Sequence, residues 1–166
     1  MIVFDSSTLI LLAKADILDD FIDDYRGAIS VPKEVEAESC SRKESFDAQL
    51  IRKRIDEKRI GVTKISNKAL CTKFMQDFHI CRGEAEALVL AIEKKAKLVA
   101  TDDKNAIKAC KLLKLPFTSA IVVLVRMREK EAIDKEKAKA VLAALIKYGR
   151  YNDEIVKGAK ERLGLK

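Results

Sequence analysis

The stretch Arg82-Gly83-Glu84-Ala85-Glu86-Ala87-Leu88-Val89-Leu90-Ala91-Ile92, followed by Lys97-Leu98-Val99-Ala100-Thr101-Asp102-Asp103, decides how this chain is read. Its first part reads as a helix that opens on two carboxylates, and its second as a short apolar strand that ends on two more. Between Ala85 and Ile92 only Glu86 is polar, which predicts a buried helix. Carboxylates at both ends of such a hydrophobic unit need a partner, because an unpaired buried charge is costly. No basic residue lies inside the run; Arg82 and Lys104 only bracket it. A divalent cation is the partner this arrangement asks for. Asp5, which closes the first apolar run Ile2-Val3-Phe4, would supply a further ligand.

Outward from that stretch, strands and helices alternate. Residues 2–4, 28–31, 60–65, 98–100 and 115–118 read as strands, the third and fifth suited to sheet edges. Helices are expected over residues 9–15, 17–25, 32–40, 46–58, 68–78, 82–96 and 104–113, and then over 120–130, 135–148 and 152–163. Ser6-Ser7-Thr8 is the expected cap of the first helix, Ser66-Asn67 that of the fifth, and Pro32 suits a helix's first turn. Alternation of this kind predicts an α/β fold: one parallel sheet of about five strands with helices on both faces. The whole chain, residues 1–166, reads as one domain, with C-terminal helices from about residue 119 packed on it. Ligand groups in such sheets gather beyond the carboxyl ends of the strands. Asp5, Asp102 and Asp103 fall there.

Composition narrows the function classes. No run of 18 apolar residues exists to span a membrane. The N-terminus has no basic segment ahead of its apolar run, which argues against a secretion signal and for the cytoplasm. Cys40, Cys71, Cys81 and Cys110 are spaced 31, 10 and 29 apart, which matches no zinc pattern and reads as free thiols. The net charge of +7 is unevenly spread: residues 1–41 carry 3 basic and 9 acidic groups, residues 42–73 carry 10 and 4. A basic middle and tail around an acidic centre suit a polyanion held against a metal, although solvated helix faces would look the same. Asp19, Asp20, Asp23 and Asp24 read as one such solvated face. His79 stands alone, without a Ser or Cys pattern for a catalytic triad.

Asp5-Ser6-Ser7, Val31-Pro32 with Val35 and Glu38, Gly83-Glu84-Ala85-Glu86-Ala87 and Thr101-Asp102-Asp103 occur in the order seen in PIN domains. Over nearly its whole length the chain resembles prokaryotic PIN ribonucleases of the VapC-like toxin type. The tail Leu145-Ile146-Lys147-Tyr148-Gly149-Arg150-Tyr151-Asn152-Asp153-Glu154 resembles the C-terminal helices of one PIN subgroup. The resemblance implies strand order 3-2-1-4-5 and hydrolysis of RNA phosphodiester bonds with Mg²⁺ or Mn²⁺. It also implies a place in a toxin–antitoxin system, with an antitoxin protein and a second copy of the chain as further partners.

By the same resemblance, Asp5 is the central metal ligand and Glu38 the second acid, with the N-cap of the following helix as the alternative role for Asp5. Glu84 and Glu86 are two apart, so ~200° separates them around a helix and they cannot face one site equally. Registering Glu86-Ala87-Leu88 on the D-A-L pattern of toxin-type members favours Glu86, leaving Glu84 in the first turn, where the helix dipole favours it. The T-x-D spacing from Thr101 selects Asp103, while Asp102 lies nearer the strand end. Asp5, Glu38, Glu86 and Asp103 are therefore the expected catalytic acids, with Glu84 and Asp102 as further metal ligands. Arg82, Lys104 and Lys108 are candidates for steering phosphates. Phosphoryl-accepting receivers place their acidic pair after the first strand, not the fourth, and no Gly-rich turn supports a dinucleotide. The remaining rival is a non-catalytic PIN-fold module that binds RNA or protein.

Overall fold

Short β-branched and aromatic runs, each followed at once by a polar helix start, build a parallel sheet with helical crossovers. The computed structural model describes residues 1–165, and these form five strands and ten helices. In order they are β1 (Ile2–Phe4), α1 (Ser6–Lys14), α2 (Leu18–Asp24), β2 (Ile29–Pro32), α3 (Lys33–Ser39), α4 (Phe46–Asp56) and β3 (Gly61–Thr63). Then follow α5 (Lys68–Phe78), α6 (Arg82–Glu93), β4 (Leu98–Ala100), α7 (Lys104–Leu112), β5 (Phe117–Thr118), α8 (Ala120–Glu129), α9 (Lys135–Tyr148) and α10 (Asp153–Leu163). The sheet order is β3-β2-β1-β4-β5 and every pairing is parallel. β1 is central, with Val3 opposite Ser30 on one side and Val99 on the other.

The two-residue period of the strands sends alternate side chains to two cores. Ile2, Phe4, Ile29 and Val31 join α1, α2, α8 and α9 on one face, while Val3 and Val99 join α5, α6 and α7 on the other. Residues Ala85 to Ala91 of α6 are all buried, as the apolar run predicts. The C-terminal helices belong to the first core: Leu124, Leu145 and Leu163 are in the same buried cluster as Phe4 and Leu12. No helix among the described residues is long and apolar enough to cross a membrane.

Element ends differ from the sequence expectation for local reasons. The first helix begins at Ser6 rather than residue 9, because Asp5 itself is the N-cap and accepts from the Thr8 N–H. Pro32 ends β2 opposite Thr63 and precedes α3 instead of forming its first turn. Helix α6 stops at Glu93, three residues before the expected end, where Lys95 turns left-handed at φ 49°. The third and fifth strands are shorter than expected and lie at the two edges.

Candidate active site

Three of the acids sit where a strand hands the chain to a helix, or where a helix begins. There an orphan backbone N–H claims one carboxylate oxygen and leaves the other. Asp5 leaves β1 and caps α1: its Oδ1 accepts from the Thr8 N–H at 2.8 Å and the Ser7 hydroxyl at 3.0 Å. Asp103 follows β4 and caps α7, its Oδ1 accepting from the N–H groups of Asn105 and Ala106, both at 2.8 Å. Glu84 lies in the first turn of α6, and its Oε2 accepts from the Cys81 N–H at 2.8 Å. Glu38 comes from α3, where its Oε2 accepts from the Ser6 hydroxyl at 2.6 Å. The capping and ligand roles of Asp5 are therefore not exclusive.

Gly83 explains how Glu38 reaches the others. A Cβ built there would stand 2.5 Å from Glu38 Oε2, so with any larger residue at position 83 the Glu38 carboxylate would have to move. Glu84 in turn is near Asp103 and Glu38, and one pocket is lined by Glu84, Asp102 and Asp103 together.

Asp102 is held differently. Its Oδ1 accepts from the Tyr151 hydroxyl at 2.6 Å, and its Oδ2 from the Thr8 hydroxyl at 2.8 Å and the Ala120 N–H at 2.9 Å. Both oxygens are engaged, which makes Asp102 a tie between β4, α1, α8 and the turn after α9. Between the two neighbours, Asp103 keeps the freer carboxylate.

The two glutamates of α6, of which Glu86 is the expected catalytic acid and Glu84 a further ligand, stand on different flanks. Glu84 stands with the other acids, and Glu86 faces a separate flank lined by Ile65, Cys71, Met75 and Arg82. Glu86 is buried, but Arg82 answers its charge at 3.1 Å and the Glu34 N–H donates to it at 3.3 Å. Arg82, expected only to bracket the run, thus reaches one helical turn into it. It is committed to Glu86 and Glu34, which leaves it poorly placed to steer a phosphate.

The remaining acids are oriented by the chain but not neutralised by it. Asp5 is buried, and its Oδ2 has no partner that meets hydrogen-bond geometry. Burial pushes its carboxyl up to about 7, against the opposing pull of Thr101, Thr8 and Ser7, and with the negative charge of Asp102 adding to the rise. Burial likewise raises Glu84, helped by Asp103 and Glu38. Among the described residues, no ion pair reaches Asp5, Glu38, Glu84, Asp102 or Asp103. As they stand, no three acidic, His or Cys side chains among them form a ready metal cage. The donor set nonetheless fits a hard divalent cation: all oxygen, with one buried oxygen unpartnered and a glycine making room for the second acid.

Sequence reasoning missed the residues that the fold folds back onto this pocket. Lys14 arrives from the end of α1, Tyr148 from the end of α9, and Gly149 and Arg150 from the turn after it. The signal available was the run Tyr148-Gly149-Arg150-Tyr151 itself, in which two aromatic residues flank a glycine.

A family model described as a PIN domain matches residues 1–164. No curated protein and no solved structure matches the chain.

Proposed function

The chain belongs to the PIN-domain family, and from that premise we propose that it is a Mg²⁺- or Mn²⁺-dependent endoribonuclease. The observation that carries this reading is Asp5: a carboxylate fully buried at the end of the central strand, with one oxygen capping a helix and the other unpartnered. A fold does not keep such a group without compensation, because a buried acceptor left unsatisfied costs about 1–3 kcal/mol. Asp5, Glu38, Glu84 and Asp103 would hold the cation. Bound there, it would supply a more acidic water and a counter-charge for the phosphate under attack.

The chain's own residues do the rest. The N–H groups of Thr8, Asn105 and Ala106 fix the angles of Asp5 and Asp103. Ser6 fixes Glu38, and the Cys81 N–H fixes Glu84. Asp102 positions the surrounding elements rather than the cation. The order of the acids along the chain further supports a toxin-type ribonuclease, with an antitoxin and a second copy of the chain as partners.

A non-catalytic PIN-fold module is the second reading, favoured by the full engagement of Asp102 and Glu86 by protein donors. Incubation with a mixed-sequence RNA separates the two. Cleavage in Mn²⁺ that stops on chelation supports the nuclease; intact RNA across Mn²⁺ and Mg²⁺ concentrations supports the module.

A further inference from the structure

The pocket beside the acids has a second wall of different chemistry. It is about 320 Å³ in volume, and its lining brings Lys14, Tyr148 and Arg150 together with Glu84, Asp102 and Asp103. That volume falls at the lower end of the range for small-ligand sites. Tyr148 is 47% exposed, although it is a large aromatic at the end of a helix that could have turned inward. The Nζ of Lys14 lies 5.5 Å from its ring centroid and that of Lys147 5.2 Å. Neither Lys14 nor Arg150 has an acidic partner among the described residues.

The backbone holds this wall in place. A Cβ at Gly149 would come within 2.5 Å of the Tyr151 ring and 2.7 Å of the Leu145 carbonyl oxygen, so glycine is what lets the chain double back there. Tyr151 then runs inward to its hydrogen bond with Asp102, and Tyr148 stays outward at the pocket's lip. The same turn therefore ties itself to the acidic cluster and displays an aromatic face next to it.

Resting on the ribonuclease reading, we propose that this pocket is a nucleotide subsite for single-stranded RNA: Tyr148 stacks an unpaired base while Lys14 and Arg150 take the phosphates beside it. Single strands are gripped by aromatic faces for the bases and cations along the backbone, and this wall supplies both. A base arriving over the ring displaces Lys14 from the π face toward the phosphate that comes with it. A paired base offers only its edges, so the wall selects against duplex RNA. The pocket shares Glu84 and Asp103 with the residues that would hold the cation, while Asp5 and Glu38 are not in its lining.

The test is binding in the presence of a chelator, where nothing can be cut. The probe is a short fluorescent oligouridylate, read by anisotropy, with a self-complementary RNA duplex as comparison. Tyr148→Ala is expected to weaken the single strand about tenfold or more, Tyr148→Phe to stay within about twofold, and the duplex to change little with either. Lys14→Ala combined with Arg150→Ala should lower the slope of log affinity against log salt by about 0.7 per cation removed. This double variant alters exposed side chains only, so it tests the subsite even if Tyr148→Ala does not fold.

Unchanged binding by Tyr148→Ala, equal loss in Tyr148→Phe, or an unchanged salt slope would each overturn the subsite. So would wild-type protein that ignores the oligouridylate, or binds a polyglutamate peptide with the same dependence on Tyr148 in its place. Cleavage in Mn²⁺ is scored separately. Wild type that cuts RNA but binds it without Tyr148 loses only the subsite, and wild type that cuts nothing yet needs Tyr148 to bind loses only the nuclease reading.

Discussion

Helix α2 and the candidate site each gather a set of carboxylates, and the fold treats them in opposite ways. On α2, every aspartate of Asp19, Asp20, Asp23 and Asp24 has a basic partner: Arg54, Lys137, Arg59 and Lys130 respectively. The partners come from α4, α9, the turn before β3 and the end of α8, so the acidic face of α2 is a latch for the basic middle and tail rather than a merely solvated surface. At the site, Asp5, Glu38, Glu84, Asp102 and Asp103 meet only N–H and hydroxyl donors. The titration directions follow. Hydrogen bonds from Arg54 hold Asp19 below the usual carboxylate range, and burial pushes Asp5 up to about 7. Acids neutralised by the chain hold a fold together, whereas acids oriented but not neutralised keep the charge that the proposed cation site requires.

The sharpest way to break the comparison is to remove a site charge. Asp5→Asn and Asp103→Asn should each lower RNA cleavage by on the order of 10³-fold, because a hard anionic oxygen is lost where the cation would be held. Asn still caps a helix, so α1 and α7 persist, and the melting temperature without metal should hold or rise as repulsion falls. A cleavage assay in Mn²⁺ beside a melting curve in chelator checks both halves. Full activity in either variant would remove that residue from the catalytic set.

The next effect is on stability against pH, and it has opposite signs in the two regions. Burial pushes Asp5 up to about 7 in the folded state from an ordinary value of 3.8, so between those values the folded state binds the extra proton. Stability from this group is full below about pH 4 and is lost as pH rises toward 7, by up to about 4 kcal/mol in the absence of a cation. Asp19 runs the other way: its contribution is present above its unfolded value and is lost as pH falls through the folded one. Denaturant melts of the chelated protein from pH 4 to pH 7.5 should therefore show Asp5→Asn flattening the decline, and Asp19→Asn leaving it in place. A wild-type curve that rises across that window would contradict the burial of an uncompensated Asp5.

A smaller effect is expected at Asp102, which belongs to the site by position but resembles α2 in being fully partnered. Tyr151→Phe deletes one hydrogen bond to a charged oxygen and leaves two, so it should cost about 1.5–3 kcal/mol in stability. Urea titration gives the number. Gly149→Ala should disturb the same tie from the other side, since its new methyl would meet the Tyr151 ring.

How much of this was legible in the sequence depends on how far each feature reaches. The strand order and the acids at strand ends were readable, because β1 and β4 are short apolar runs and Asp5 and Asp103 follow them directly. The separate surroundings of Glu84 and Glu86 were not, because motif register ignores Arg82, which is one helical turn from Glu86 and pairs with it. The early end of α6 was hidden because Lys95, not glycine, adopts the left-handed turn, and the same substitution of Lys58 for glycine closes α4. The partners of α2 and the return of Tyr151 to Asp102 join residues 35 to 117 positions apart or 49 apart, and no local pattern encodes such pairs.

The smallest effect should come from breaking the latch itself. Arg54 grips Asp19 with two hydrogen bonds of 2.6 Å and also reaches Glu57 at 2.7 Å, and its side chain is only 14% exposed. Arg54→Met keeps most of the apolar stem that packs there and removes the charge. Asp19 is left without a cation, but its side chain is 42% exposed, so water can solvate it and the penalty of a buried unpaired charge does not arise. The expected cost is about 1 kcal/mol, a shift in melting temperature of roughly 2–4 °C for a domain of this size. Because none of the latch residues lines the pocket, cleavage in Mn²⁺ should stay within about twofold of wild type at a temperature where both are folded. A loss of cleavage without a loss of fold would mean that the two sets of acids are coupled, and the division between them would fail.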